Sequence, residues 1–210
     1  MILYRFFGVT IVMALVILAG CAGTFKEGSQ TADSIQNVER EALVGKNLVN
    51  STITALDDMF NNKEGDLKKQ FETFSKSVDK LDSQAKRVKK RVETMASQKA
   101  VYLQQWDEQM ATIESSAIRQ TAEQRRTSVE KMFVDVQSEM DAAGKVFQPF
   151  MSKLNDIRTA MNMDLNRSGL DAMRSIAVEA KADAKMINNS LDGAISSLNQ
   201  AVTALTASGE

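Results

Sequence analysis

No histidine occurs anywhere in the 210 residues. That one absence removes the commonest general base, the commonest zinc ligand and every Ser-His or Cys-His nucleophile arrangement. Cysteine occurs once, at Cys21, so no disulfide can form within the chain. Proline also occurs once, at Pro149, and aromatic residues make up only 6% of the chain, which leaves little from which to build strands. The abundant Ala, Lys, Gln, Glu, Met and Leu are the residues of long helices. Neither charge sign is in excess, with 26 Lys+Arg against 27 Asp+Glu. Discounting Arg5 leaves the part after residue 20 at about −2, a balance that argues for neither nucleic acid nor an anionic surface as a partner. No Gly-rich phosphate loop and no Ser-x-x-Lys motif with its companion motifs is present.

What is present begins with Arg5, a single charge ahead of the apolar run Phe6 to Leu18, followed by the small residues Ala19 and Gly20 and then Cys21. The run has the length of a secretory h-region, whereas a spanning helix needs about 20 apolar residues. Leu18-Ala19-Gly20-Cys21 resembles the lipobox of bacterial lipoproteins, in which the cysteine receives diacylglycerol and becomes the new N-terminus. The resemblance implies that residues 1–20 are a signal peptide, with Leu18, Ala19 and Gly20 read by the signal peptidase and Cys21 lipidated. Each acyl chain then contributes about 0.8 kcal/mol per buried CH₂. Ala22 stands where an aspartate favours inner-membrane retention in such lipoproteins. Its presence directs the expectation to the outer membrane, with the domain facing the periplasm.

Residues 21–33 read as a lipidated N-terminus and linker, because Ala22 to Asp33 are small and polar without periodicity. Residues 34–207 read as one helical bundle domain. The apolar residues Leu67, Phe71, Phe74, Val78, Leu81, Ala85, Val88, Val92 and Met95 alternate spacings of four and three, a stripe that keeps one helix face inward. It continues through Tyr102, Trp106, Met110, Ile113 and Ala117. Equally regular stripes run from Val129 to Met161 and from Leu170 to Leu205. The first, Ile35 to Met59, is diluted by Gly45 and Thr52, and the helix that carries it is expected to cover only part of the bundle. Asn61 to Asp66 supplies turn residues and an acidic cap; Thr121 with Gln124, and Ser168 with Asp171, have capping-box spacing. Pro149 interrupts one backbone hydrogen bond while the heptads stay in phase across it, which predicts one kinked helix rather than two. Four helices with short connections alternate in direction. The expected fold is therefore all-α, an elongated antiparallel up-down bundle with coiled-coil-like heptads.

Thr54-Ala55-Leu56-Asp57-Asp58-Met59-Phe60, Trp106-Asp107-Glu108, Gln148-Pro149-Phe150 and Asp164-Leu165-Asn166-Arg167 with Leu170 resemble an uncharacterised family of bacterial lipoproteins, classed as a coiled-coil-rich domain of unknown function. The resemblance spans most of the chain after Cys21. It implies a helical envelope protein and no catalytic residues.

Lys86, Arg87, Lys89, Lys90 and Arg91 form the densest basic cluster, a candidate for lipid phosphates. Six consecutive helical positions wrap most of a helix, however, which favours a solvated face paired with acidic neighbours such as Asp141, Asp183 or Asp192. Met151, Met161, Met163 and Met173 are candidate soft ligands for Cu(I), but most lie on or near the stripes, where methionine fills core gaps. Asp57 and Asp58 point about 100° apart on a helix and make a poor acid–base pair. No catalytic or metal-binding residue and no cofactor is expected.

The expectation is a non-enzymatic, outer-membrane-anchored periplasmic protein acting as scaffold, spacer or adaptor for an envelope protein. The alternative is a bundle that binds a lipid or other apolar ligand, opening where its core positions are small, at Gly45, Thr52, Gly144 and along the Ala-rich fourth stripe. Heptads also permit self-association.

Overall fold

The computed structural model describes residues 18–206, with side chains described from residue 28 onward. Residues 1–17, most of the stretch expected to be a signal peptide, and residues 207–210 lie outside the described residues. Leu18, Ala19, Gly20 and Cys21 open the first helix, and their side chains lie outside the description as well.

Five helices follow in order: α1 Leu18–Asn61, α2 Leu67–Met110, α3 Ser116–Met163, α4 Arg167–Ala172 and α5 Arg174–Thr206. Among the described residues there is no strand. The long helices form an antiparallel ring, α1 beside α2, α2 beside α3, α3 beside α5 and α5 beside α1. A helix of 44 residues at about 1.5 Å rise per residue makes the ring roughly 66 Å long. The all-α bundle read from the heptads is the fold.

The stripes are the core. On α3, Val129, Phe133, Val136, Met140, Ala143, Phe150, Leu154, Ile157 and Met161 are buried. On α5 the buried positions run from Ala177 to Ala201, and five of them are alanine, which lets the neighbouring backbones approach closely. The helix α3 runs through Pro149 unbroken. The lost hydrogen bond is tolerated because Phe150 and Leu154, both 0% exposed, hold the turn against its neighbours.

Several expectations are corrected. The linker over Ala22–Asp33 is helix, and Thr31 and Ala32 are buried. Gly28, Thr31 and Ala32 continue the stripe backward from Ile35 in small residues, too short to register as apolar periodicity but short enough to let α1 lie close. Consequently α1 is as long as α2 and covers the whole bundle. The helix α3 is capped by Ser115, not Thr121, whose hydroxyl instead donates to the Ala117 carbonyl. Ile113 and Ala117, expected on the α2 stripe, therefore fall in and after the turn. The cap before the last helices is Asn166, which accepts from Gly169 N at 2.7 Å, and Ser168 lies inside α4. The chain then breaks at Met173, where φ −95° and ψ 8° end α4 before α5 begins.

The first connection is closed by side chains. Asp66 caps α2, accepting from Lys68 N and Lys69 N. No described residue has positive φ, so this turn is made without a left-handed residue. Gly65 is required by close approach instead: a Cβ there would collide with the Gln70 amide. Buried Gln70 donates to the carbonyls of Asp58 and Asn62, both at 3.0 Å. Arg167, arriving from the α3–α4 connection, donates to Met59 O and Gly65 O at 2.9 Å and to Asn62 O and Lys63 O at 3.3 Å. A guanidinium over the C-terminal carbonyls of α1 satisfies orphan acceptors and opposes the helix dipole there.

This knot ties α1, α2 and α4 at one end. Charged hydrogen bonds contribute about 1.5–3 kcal/mol where they are shielded. Arg167→Ala is therefore expected to lower stability by about 2–3 kcal/mol in chemical denaturation, with Arg167→Lys recovering only part because a single ammonium cannot fan over four carbonyls. A loss under about 0.5 kcal/mol, the range of ordinary surface substitutions, contradicts the knot.

Candidate functional site

The seam between α2 and α3 is stitched at three levels. Nearest the α2–α3 connection, Arg126 holds Asp107 through two hydrogen bonds of 2.5 and 2.9 Å and reaches Glu130 at 2.8 Å. The Asp107 hydrogen bond, foremost, raises the Arg126 pKa above its usual value. Further along, the Lys99 ammonium lies 5.8 Å from the centre of the Phe133 ring. Far beyond, Arg158 donates to Asp79 at 2.6 Å.

Between the last two stitches the helices part. The opening is a cleft of about 820 Å³. Its floor is apolar: the small Ala42 and Gly45 with Val49 from α1, and Ile187 and Leu191 from α5. Ala85, Val88 and Val92 form the α2 wall, and Met140, Ala143, Gly144 and Phe147 the α3 wall. Ala85, Val88, Val92 and Phe147 belong to the heptad stripes, yet here they are only half-buried. Apolar stripe without a partner helix against it is what defines the site.

Two of the three small positions singled out from the sequence line this cleft. A Cβ on Gly144 would meet nothing within 4 Å, and one on Gly45 would only touch Gln84 and Val88 at 3.8 and 3.9 Å. Thr52 does not line it; that residue is fully buried elsewhere, its hydroxyl donating to Leu48 O at 2.7 Å.

The rim is charged. Lys86 is paired with Asp82 at 2.6 Å, and Asp141 accepts from Gln137 at 2.9 Å. The side chains of Lys89, Lys145 and Glu93 have no hydrogen-bonded or ionic partner in the structure. The basic cluster thus divides. Arg87 bonds buried Gln84, which itself donates to Glu41 O and Oε2 at 2.8 and 2.7 Å; Arg91 approaches Glu41 at 3.9 Å. The acidic partners anticipated for the cluster are occupied elsewhere, Asp183 by Lys153 at 2.7 Å and Asp192 by Lys46. Lys153 has its pKa raised, first by the Asp183 hydrogen bond.

The other candidate chemistries disperse. Asp57 pairs with Lys181 while Asp58 accepts from Asn62, so the two are not a catalytic pair. Met151, Met161 and Met173 are buried in the core and Met163 is 79% exposed, an arrangement of packing residues. Trp106 is half-buried and meets Tyr102 edge-on at 5.5 Å; burial raises the Tyr102 pKa, partly offset by Arg125. Among the described residues no group of three or more His, Cys, Asp or Glu is placed to hold a metal ion, and no helix is long and apolar enough to cross a membrane.

A family model described as protein of unknown function (DUF2959) matches residues 28–205. The chain belongs to this family. The DUF2959 match contains every residue that lines the cleft and both residues of each stitch. No curated protein and no solved structure matches the chain.

Glycine in a helix interior costs about 0.8–1.0 kcal/mol relative to alanine. Gly144 has open space beside it, so Gly144→Ala is expected to raise stability by about that amount in urea denaturation. A destabilised Gly144→Ala protein contradicts the open cleft.

Proposed function

We propose that the chain is a non-enzymatic lipoprotein of the bacterial outer membrane, held by Cys21 with its domain in the periplasm, and that the bundle binds an apolar ligand between α2 and α3. The observation that carries the binding role is the break in an otherwise continuous core. Stripe residues are buried from Phe71 to Leu81 and only half-buried from Ala85 to Val92, over an apolar floor that includes Ala42 and Gly45, within a volume typical of small-molecule sites, about 300–1,000 Å³. The anchor reading rests on Leu18-Ala19-Gly20-Cys21 and on the run before it. The missing histidine and the dispersed carboxylates support a role without catalysis.

A second reading, a scaffold or spacer for an envelope protein, is favoured by the length of the bundle. Cys21 opens α1 at one end, and the Arg167 knot lies at the other, roughly 60 Å away at about 1.5 Å per helical residue. A tethered rod of this kind carries its far end well clear of the bilayer.

Native mass spectrometry of the protein extracted from membranes is expected to show a co-purifying species of a few hundred daltons, which Gly144→Phe displaces by filling the cleft. A clean apo mass in gentle detergent contradicts ligand binding and leaves the scaffold reading. Cys21→Ser is expected to leave the bundle folded and to move the cleaved protein into the soluble fraction. A cleaved Cys21→Ser chain that stays in the membrane fraction overturns the anchor.

A further inference from the structure

The three stitches fix an antiparallel register for α2 and α3. Asp107 stands level with Arg126, Lys99 with Phe133 and Asp79 with Arg158. Within the cleft that register puts Lys89 level with Lys145, and one helical turn along, Glu93 level with Asp141. All four are on the rim, two on each wall. At both levels the walls therefore present like charges to one another, within the open stretch of the seam. At the two outer stitches the facing charges are opposite and paired. The four-residue spacing from Lys89 to Glu93, and from Asp141 to Lys145, also permits ion pairs along each helix, yet neither pair forms in the structure.

We infer that the cleft accepts an amphiphile whose head carries one negative and one positive charge about a helical turn apart: a phosphoethanolamine lipid with its acyl chain on the apolar floor. The phosphate sits between Lys89 and Lys145, and the ammonium between Glu93 and Asp141. Each charge of the head relieves one like-charge pair, so that ligand and walls form two alternating three-charge sets. A purely anionic head gains the lysines but faces the carboxylates. A neutral polyol head leaves both pairs opposed. A phosphate and a primary ammonium joined by two carbons are separated by about the rise of one turn, roughly 5.4 Å.

This inference rests on the cleft as a ligand site and adds the chemistry of the head. The test offers the full-length protein, in non-ionic detergent, equimolar palmitoyl lysophosphatidylethanolamine, palmitoyl lysophosphatidylglycerol and monopalmitoylglycerol, with retained adducts counted by native mass spectrometry. The ethanolamine lipid is expected to be retained at least tenfold over each of the others. The double exchange Asp141→Lys with Lys145→Glu places opposite charges level at both positions, so the seam can close on itself. That variant is expected to melt at a higher temperature and to lose at least tenfold of the adduct. Lys89→Glu, at an exposed position, is the second variant and is expected to lose the ethanolamine preference with its circular dichroism unchanged. Equal retention of all three lipids, or preference for the glycerol phosphate, overturns the head-group inference and leaves the cleft a ligand site. Retention of none by a folded protein overturns the ligand site itself.

Discussion

Each long helix of this chain carries a single apolar stripe, and a stripe is satisfied only while a neighbour lies against it along its whole length. Burial of that surface at about 25 cal/mol per Å² is what holds helices of this length together, since propensity alone leaves them marginal. Everything else in the structure follows from where the four stripes meet and where they do not. They meet from Phe71 to Leu81 and again at Met95, Tyr102 and Leu103 on α2, from Val129 to Met161 on α3 and from Ala177 to Ala201 on α5. They part between Ala85 and Val92, where α1 contributes Ala42 and Gly45, α3 contributes Ala143 and Gly144, and the flanking charges match in sign. Small residues remove the gain from closing the seam, and like charges add a cost to closing it. The same few positions therefore account for the opening of the bundle along this stretch.

The ends of the bundle are unlike one another. At the end where α1 begins, α2 turns into α3 through residues 111–115, and the Arg126–Asp107 pair ties the two helices just inside that turn. At the opposite end the α1–α2 and α3–α4 connections are bound together by Gln70 and Arg167, and the Phe60 ring faces the Arg174 guanidinium at 5.6 Å. Both ends of the α2–α3 seam are thus fixed, and the opening is held between them. An open stretch with fixed ends is preorganised: the walls need not separate to admit a ligand, and the entropy of ordering them is already spent in folding.

The heptads made the stripes of α2, α3 and α5 legible from the sequence, because large apolar residues at alternating steps of three and four leave one reading. The start of α1 was not legible, since Gly28, Thr31 and Ala32 carry the stripe in side chains with too little apolar surface to mark it. Caps were misplaced at Thr121 and Ser168 because Ser and Thr recur throughout these helices, and a hydroxyl three residues before a Gln or Asp also occurs where it merely donates to its own preceding turn. The break at Met173 carries no glycine or proline to announce it. In the cleft, Gly45 and Gly144 were legible as weak core positions. The opposition of Lys89 to Lys145 and of Glu93 to Asp141 was not. It depends on the register of two helices some fifty residues apart in the chain, which the Asp79, Lys99 and Asp107 contacts establish only in the folded bundle.

The central claim is that α2 and α3 are apart in the middle of the seam and together at both ends. Pulsed electron spin resonance tests it most directly, with nitroxide pairs on a Cys21→Ser chain at three levels: beside Asp107 and Arg126, beside Lys89 and Lys145, and beside Asp79 and Arg158. The separation at the middle level is expected to exceed that at either end by several ångströms. Equal separations at all three levels contradict it.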